Sequence, residues 1–301
     1  MRLCSVSIDL DEIACYAQIH GLPAAESHAV YDRALGRIRS FASDLSLPLT
    51  LFVIGRDLER AQNVLGLRAL VADGHEIGNH SLDHLYDLTR RTRSEQEEQV
   101  DGANRRLQHA LGVTPTGFRA PGYTVTDQLF DVVRACGLAY DSSVFPCPPY
   151  FAAKAVRLLR MKLAGQRSHA VLDTPRVLQA PTVPYRVGRP YWSRGSGILE
   201  LPIQVAGNVR LPFIGTALSL LGPRAARLLS RSIVGAPMVN LELHGIDFLD
   251  RHDVPAAVTA VQPDLRVPLS RKLAAFSAVI ELLRKHRYAC SRLDEAARAF
   301  S

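Results

Sequence analysis

Residues 74–85 read GHEIGNHSLDHL, and both the fold and the chemistry of the chain are legible outward from them. Gly74 is the stop expected after the helical pattern of Asp57–Ala72. The run His75–Gly78 is then expected to be a strand delivering His80 at its carboxyl end. His80 and His84 are four apart, so one helical turn would bring their imidazoles onto one face, roughly 5–6 Å apart at Cβ and within chelating distance. A catalytic zinc-type ion takes three protein ligands and leaves a fourth position for water, so two histidines are not enough. The stretch SIDLDE, residues 7–12, supplies two candidates for the third, Asp9 and Asp11. An HExxH protease carries its general base directly after the first histidine, where this chain has Ser81, so the protease reading loses its base.

On either side of this stretch, apolar runs alternate with helical patterns. Leu3–Ile8, Leu49–Ile54, a run ending at Phe118, Leu138–Asp141 and Met238–Leu243 read as strands. Residues 25–45, 57–72, 89–111, 126–136, 270–286 and 293–300 read as helices. Such alternation predicts parallel strands joined by crossover helices, in a barrel or a doubly wound sheet. In either architecture functional side chains gather at the carboxyl ends of the strands, which is where Asp9, Asp11, His80, Arg119, Asp141 and His244 fall. Residues 146–235 break the rhythm with proline, glycine, arginine and aromatics. They are expected to form an insertion or lid on a single catalytic domain covering 1–301.

The 301 residues are 47% hydrophobic, enough for a large buried core. No apolar run reaches the 18 or more residues of a bilayer span. The beginning MRLCSVSIDLDE lacks the apolar core of a signal peptide, so a cytoplasmic protein is expected, working free or at the inner face of the membrane. Five scattered cysteines without CxxC spacing fit reduced thiols better than a disulfide framework or a cysteine zinc site. The net charge is +7, yet residues 154–231 hold thirteen Lys and Arg against Asp173 and Glu200, a local +11. That asymmetry points to an anionic partner, and peripheral membrane contact through 154–231 is one form of it. No nucleic-acid motif is present, and no such partner is expected.

Taken in order, SIDLDE, NHSLDH, GFRAPGYTVTD, YDSSVFP and LELHGIDF resemble the motifs of the polysaccharide deacetylase family, the NodB-homology or carbohydrate esterase family four group. The resemblance covers residues 5–145 and resumes near Leu199. It implies a distorted (β/α)7-type barrel and a divalent ion, zinc in the first place with cobalt or nickel as alternatives. By the same resemblance Asp11, His80 and His84 hold the metal, Asp9 is the general base and Arg119 orients it. His244 is then the general acid, Asp141 a carboxylate beside it, and a backbone N–H near Tyr123 a donor to the oxyanion. The common first motif has adjacent aspartates. Here Leu10 separates them, which leaves open an exchange of roles between Asp9 and Asp11.

The implied activity is metal-dependent removal of an N-acyl group, acetyl or formyl, from an amino sugar in a glycan or a lipid-linked glycan precursor. Two other readings fit the same barrel: an amidohydrolase of a small cyclic amide or imide, and a non-catalytic glycan-binding protein. The last predicts a missing ligand or base, and all of those positions are filled.

Overall fold

The computed structural model describes residues 2–23, 27–165 and 168–301. In chain order the strands are β1 (Arg2–Asp9), β2 (Leu49–Val53), β3 (Glu76–Asn79), β4 (Gly117–Phe118), β5 (Tyr140–Asp141), β6 (Tyr185–Val187), β7 (Arg194–Glu200), β8 (Val205–Ala206), β9 (Leu211–Pro212), β10 (Met238–His244) and β11 (Tyr288–Cys290). The helices are α1 (Ile13–Ile19), α2 (Leu35–Asp44), α3 (Ala61–Ala72), α4 (Arg93–Leu111), α5 (Asp127–Ala135), α6 (Pro148–Leu163), α7 (Gly215–Ser230), α8 (Ala256–Val261), α9 (Leu269–Lys285) and α10 (Leu293–Phe300).

Seven strands run parallel in the order β10-β1-β2-β3-β4-β5-β7, and β6 adds an antiparallel edge beside β7. The sheet curls until residues 201–204, just past β7, reach β10. There Gln204 N donates to Asn240 O at 3.1 Å and Asn240 Nδ2 donates to Leu201 O at 3.0 Å. No strand ladder bridges that seam among the described residues, so the (β/α)7 barrel expected from the sequence is present as a distorted half-barrel. Residues 146–235, expected as one insertion, include β7, a barrel strand, along with α6, α7 and the β8–β9 pair.

Strands buried on both faces require helices outside and a plug inside. Outside, Ile38, Phe41, Leu67, Phe276 and Ile280 pack on Val6, Ile8, Leu51 and Leu241. Inside, Leu293, Ala296 and Ala297 of α10 pack with Leu3, Phe52, Tyr140, Leu199 and Met238. Each large apolar side chain buried this way stabilises the fold by roughly 1.5–3 kcal/mol. The α10 amides also reach the starts of two strands, Leu293 N to Thr50 Oγ1 at 2.8 Å and Asp294 N to Glu76 Oε2 at 3.0 Å. The amino-terminal end of the barrel is thereby closed, and the carboxyl end is left for chemistry.

Local structure follows the sequence signals closely in places. Thr92 and Glu95 form a capping box at the start of α4, and Gly112 ends that helix at φ +70°. Thr126 caps α5 through its bond from Leu129 N. Ala25 and Glu26, expected to open a helix reaching Leu45, lie outside the described residues. The helical path observed there starts with a π-turn at Val30–Ala34 and continues as α2.

Candidate metal and catalytic site

The register of the sheet assembles the site. Asp9 lies opposite His244 across β1 and β10, Ser7 opposite Glu242, and Asn79, just before His80, opposite Phe118, just before Arg119. Four strand ends thus bring their polar residues to one place. Neither aspartate of SIDLDE caps the next helix. Glu12 fills that role, accepting from Ile13 N at 3.0 Å, so Asp9 and Asp11 are free for the site.

His80 and His84 do not lie on a helix. They flank a tight loop in which Ser81 (φ +64°) and His84 (φ +54°) are left-handed. Such conformations cost of order 1–3 kcal/mol each and persist where the surroundings enforce them. Asn79 does so here: its Oδ1 accepts from Ser81 N at 2.7 Å, while its Nδ2 donates to Val100 O at 2.8 Å. Ser81 Oγ accepts from His84 N at 3.1 Å. The expected convergence is reached through a loop held by tertiary bonds, and the two rings lie 4.8 Å apart, centroid to centroid.

Asp11, His80 and His84 each present a ligand atom to a common point, all within 4.8 Å of one another. Asp11 Oδ1 is 3.1 Å from His80 Nε2, and Asp11 Oδ2 is 3.3 Å from His84 Nε2. The other nitrogen of His80, Nδ1, donates to Arg119 O at 2.8 Å, which directs the Nε2 lone pair at Asp11. A main-chain carbonyl fixing the remote nitrogen is the arrangement that holds metal-ligating histidines. A lone pair facing a buried carboxylate at 3.1 Å needs a cation, either a proton or a metal ion, to be stable. Burial works against charge on Asp11, but His84 and His80 overcome it and hold the carboxyl well below its usual range. His84 Nδ1 and Nε2 and Asp11 Oδ1 are buried without a hydrogen-bond partner among the described residues. Two imidazoles and one carboxylate fit a divalent ion of the zinc class.

Asp9 lies on the other side of His80, its Oδ2 3.9 Å from Nε2. Arg119 is wholly buried. It donates to Asp9 Oδ1 at 2.8 Å, Ser7 Oγ at 3.0 Å, Ser142 O at 2.7 Å and Ser142 Oγ at 2.8 Å, with Phe52 stacked 4.4 Å from its guanidinium carbon. Its bond to Asp9 fixes the position of that carboxylate. It does not set the protonation balance alone, because burial raises Asp9 above the ordinary carboxylate range against its pull. The result is a stronger base than a solvated aspartate.

His244 faces Asp9 from β10. Its carboxylate partner is Glu242, with Oε1 2.9 Å from Nδ1, not Asp141. Burial disfavours the imidazolium, but Glu242 prevails and raises His244 well above its usual value. The Nε2 atom meets the Tyr123 hydroxyl at 3.1 Å. Asp141 belongs to a neighbouring buried network: it accepts from Ser143 N at 2.9 Å and Ser143 Oγ at 3.1 Å and pairs with Glu200, which burial pushes well above the usual carboxyl range. Through Ser143, which donates nothing to His244, it braces the loop after β5. The Tyr123 N–H, expected to face an oxyanion, is occupied by Ala120 O at 3.1 Å.

Glu242 and the Tyr123 hydroxyl are the site groups that sequence reading missed. Glu242 had a signal, since residues two apart in a strand share a face and LELH puts it beneath His244. Tyr123 had none, because its hydroxyl arrives through a left-handed residue (φ +57°) after Gly122.

Residues 36–140 match the family model described as polysaccharide deacetylase. The peptidoglycan-N-acetylglucosamine deacetylase of Bacillus cereus is 30% identical over 88 residues, 29% of this chain and 39% of that protein. The chitooligosaccharide deacetylase of Azorhizobium caulinodans is 37% identical over 90 residues, 30% of this chain and 41% of that protein. The chain thus spans less than half the length of the curated relatives it matches. Among solved structures, a Mycobacterium smegmatis chain assigned as a polysaccharide deacetylase superposes with a TM-score of 0.61 at 15% identity, covering 99% of this chain and 90% of that one. The Puue allantoinase gives 0.60 at 18% identity, covering 98% and 89%. At such identities the two structures speak for the barrel alone. The matched segment runs from α2 to β5 and includes the histidine loop and Arg119, so this part of the chain is similar to the polysaccharide deacetylase family.

Proposed function

We propose that this chain is a metal-dependent hydrolase that removes an acetyl or formyl group from the nitrogen of an amino sugar, in a glycan or in a lipid-linked glycan precursor. The observation that carries the reading is the placement of Asp9 between the Asp11–His80–His84 cluster and the His244–Glu242 pair. Members of the family are hydrolases of carbon–nitrogen bonds other than peptide bonds.

Asp11, His80 and His84 would hold the divalent ion, with zinc the first candidate, and such an ion supplies an activated water and a polarised carbonyl. The protein residues then move the protons. Asp9, held by Arg119, takes a proton from the water as its oxygen bonds to the acyl carbon. His244, kept protonated by Glu242, gives a proton to the sugar nitrogen as the carbon–nitrogen bond breaks. General acid–base transfer of this kind typically contributes 10²- to 10⁴-fold. The products are a free amine and a carboxylic acid.

Peripheral contact with an anionic membrane is the second part of the reading. Nine large apolar side chains are exposed among the described residues, and eight of them lie between Val156 and Leu228, inside the +11 stretch. Helix α6 carries Ala152, Val156, Leu159 and Leu163 on its solvent side, four, three and four apart, so they form one stripe; Leu163 is 79% exposed. Aliphatic side chains amid basic ones suit the interface of an anionic bilayer. No helix among the described residues is long and apolar enough to cross a membrane.

Two assays test the reading. Protein loaded with zinc, cobalt or nickel should release acetate or formate from an N-acylated amino sugar and leave allantoin-like cyclic amides untouched. Release from the cyclic amides alone, or from nothing, contradicts the hydrolase assignment. Vesicles with anionic lipid should sediment the protein while neutral vesicles leave it in the supernatant, and equal behaviour with both removes the membrane contact.

A further inference from the structure

Helix α6 turns two of its four cations, Lys154 and Arg157, inward and leaves Arg160 and Lys162 exposed. Opposite the aliphatic stripe, Tyr150, Lys154 and Arg157 line a cavity of about 270 Å³, completed by Ile19, Tyr86 and Gly122 among others. The cavity shares walls with the candidate site. Tyr86 lies edge-on to His84 with ring centroids 4.6 Å apart, and Tyr150 packs 5.8 Å from Tyr123, whose hydroxyl meets His244.

Both cations are half-buried, and each is held by a main-chain carbonyl: Lys154 Nζ donates to Gly122 O at 2.9 Å, and Arg157 NH2 to Ile19 O at 2.8 Å. Neither has a carboxylate within 4.0 Å among the described residues. Elsewhere the partly buried Arg37 and Arg292 pair with Asp253 and Asp294, while Arg210, like Lys154 and Arg157, is held by main-chain carbonyls, those of Leu178 and Ala180. A cation taken out of water normally has a counter-ion, and among the described residues Lys154 and Arg157 lack one and keep most of their N–H donors free. Burial brings Lys154 down to about 8, with only the more distant Asp173 opposing.

We propose that Lys154 and Arg157 form a subsite for a phosphoryl group esterified to the sugar substrate. One ammonium point charge and one planar guanidinium together suit a multi-oxygen anion. The tyrosines and Ile19 around them suit the organic groups on either side of it, the sugar towards His244 and an apolar alcohol towards the outer stripe of α6. This deepens the deacylase reading and rests on it for the identity of the sugar. The anion-binding claim stands on the cavity.

The test is equilibrium binding by calorimetry with three probes: N-acetylglucosamine, its 1-phosphate, and an octyl phosphodiester of the same sugar. Inorganic phosphate serves as competitor. Wild-type protein should bind the two phosphorylated sugars at least about tenfold more tightly than the neutral sugar, the scale of one charge-assisted hydrogen bond. Lys154→Met with Arg157→Met should erase that preference, while Lys154→Arg, which keeps the charge, should retain most of it. Three results overturn the subsite: equal affinity of the wild type for neutral and phosphorylated sugar, preference surviving in the double variant, or free phosphate binding as tightly as the sugar phosphates. Thermal melts of each variant show whether it is folded, and the charge-keeping variant remains the test where the double variant is not. Phosphate-dependent binding without turnover of any amide would retain the subsite and remove the deacylase reading.

Discussion

At the carboxyl ends of the strands, every buried cation lies against a carboxylate: Arg119 against Asp9, His80 against Asp11, His244 against Glu242. On α6, at the neighbouring cavity, the hydrogen-bond partners of Lys154 and Arg157 among the described residues are carbonyl oxygens. In the first arrangement the carboxylates Asp9 and Glu242 balance Arg119 and His244, and the Asp11–His80–His84 cluster awaits only a proton or a metal ion. The second leaves positive charge uncompensated beside an apolar wall, and its anion comes from outside. On the proposed reading, paired charge in the barrel mouth marks where bonds are made and broken, and the cations of α6 mark where substrate is held.

The comparison breaks most severely if the paired cluster holds no ion. His80→Ala should lower amide hydrolysis by about 10³-fold or more. A chelator should also cost the wild type stability. At an ion concentration 1,000 times Kd the bound state gains about 4 kcal/mol, and each kcal/mol moves Tm by roughly 2–4 °C in a chain of this size. Calorimetry with and without chelator should therefore show a drop of about 8 °C or more in the wild type and little change in His80→Ala. Next comes the base. Asp9→Asn, read by kcat at matched metal content, should lose about 10²- to 10⁴-fold while retaining the ion.

Glu242→Gln sharpens the comparison further. Glu242 raises His244, so removing its charge lowers the histidine's pKa, and the imidazolium is lost earlier as pH rises. The alkaline limb of the rate–pH profile should move to lower pH. At pH 8 kcat/KM should fall by about 10- to 100-fold, with a smaller deficit at pH 6. An unmoved limb would mean that His244 is not the acid. The smallest effect is expected outside the site: Leu159→Ser with Leu163→Ser should change stability by only about 0.5 kcal/mol or less in a denaturant melt, while reducing sedimentation with anionic vesicles.

Much of the fold was legible because Leu3–Ile8, Leu49–Ile54 and Met238–Leu243 are short, mainly apolar runs bounded by turn signals. The candidate site was legible because Asp9 and Asp11 follow the first of those runs, His244 follows the last, and His80 follows the short run His75–Gly78. What escaped was set by tertiary contacts. A four-residue spacing suggested a helix for His80 and His84, whereas Asn79, bonded across to α4, holds Ser81 and His84 left-handed. Asp141 was placed beside His244 by resemblance, yet its carboxylate turns to Ser143 and Glu200, and the alternation within β10 gives the position to Glu242. Pro148 and Pro149 read as a break in the rhythm, although proline in the first turn is where a helix tolerates it, and they open α6. The helix was also hidden by its polarity, since its aliphatic stripe faces solvent while Lys154 and Arg157 face the protein.

The most direct test of the central claim is acetate release from an N-acetylated amino sugar by wild-type protein and by Asp9→Asn, each shown by elemental analysis to carry one equivalent of zinc. The account predicts release by the wild type and a loss of at least about 10²-fold in the variant at equal metal content. Equal release by both proteins, or none from the fully loaded wild type, would contradict it.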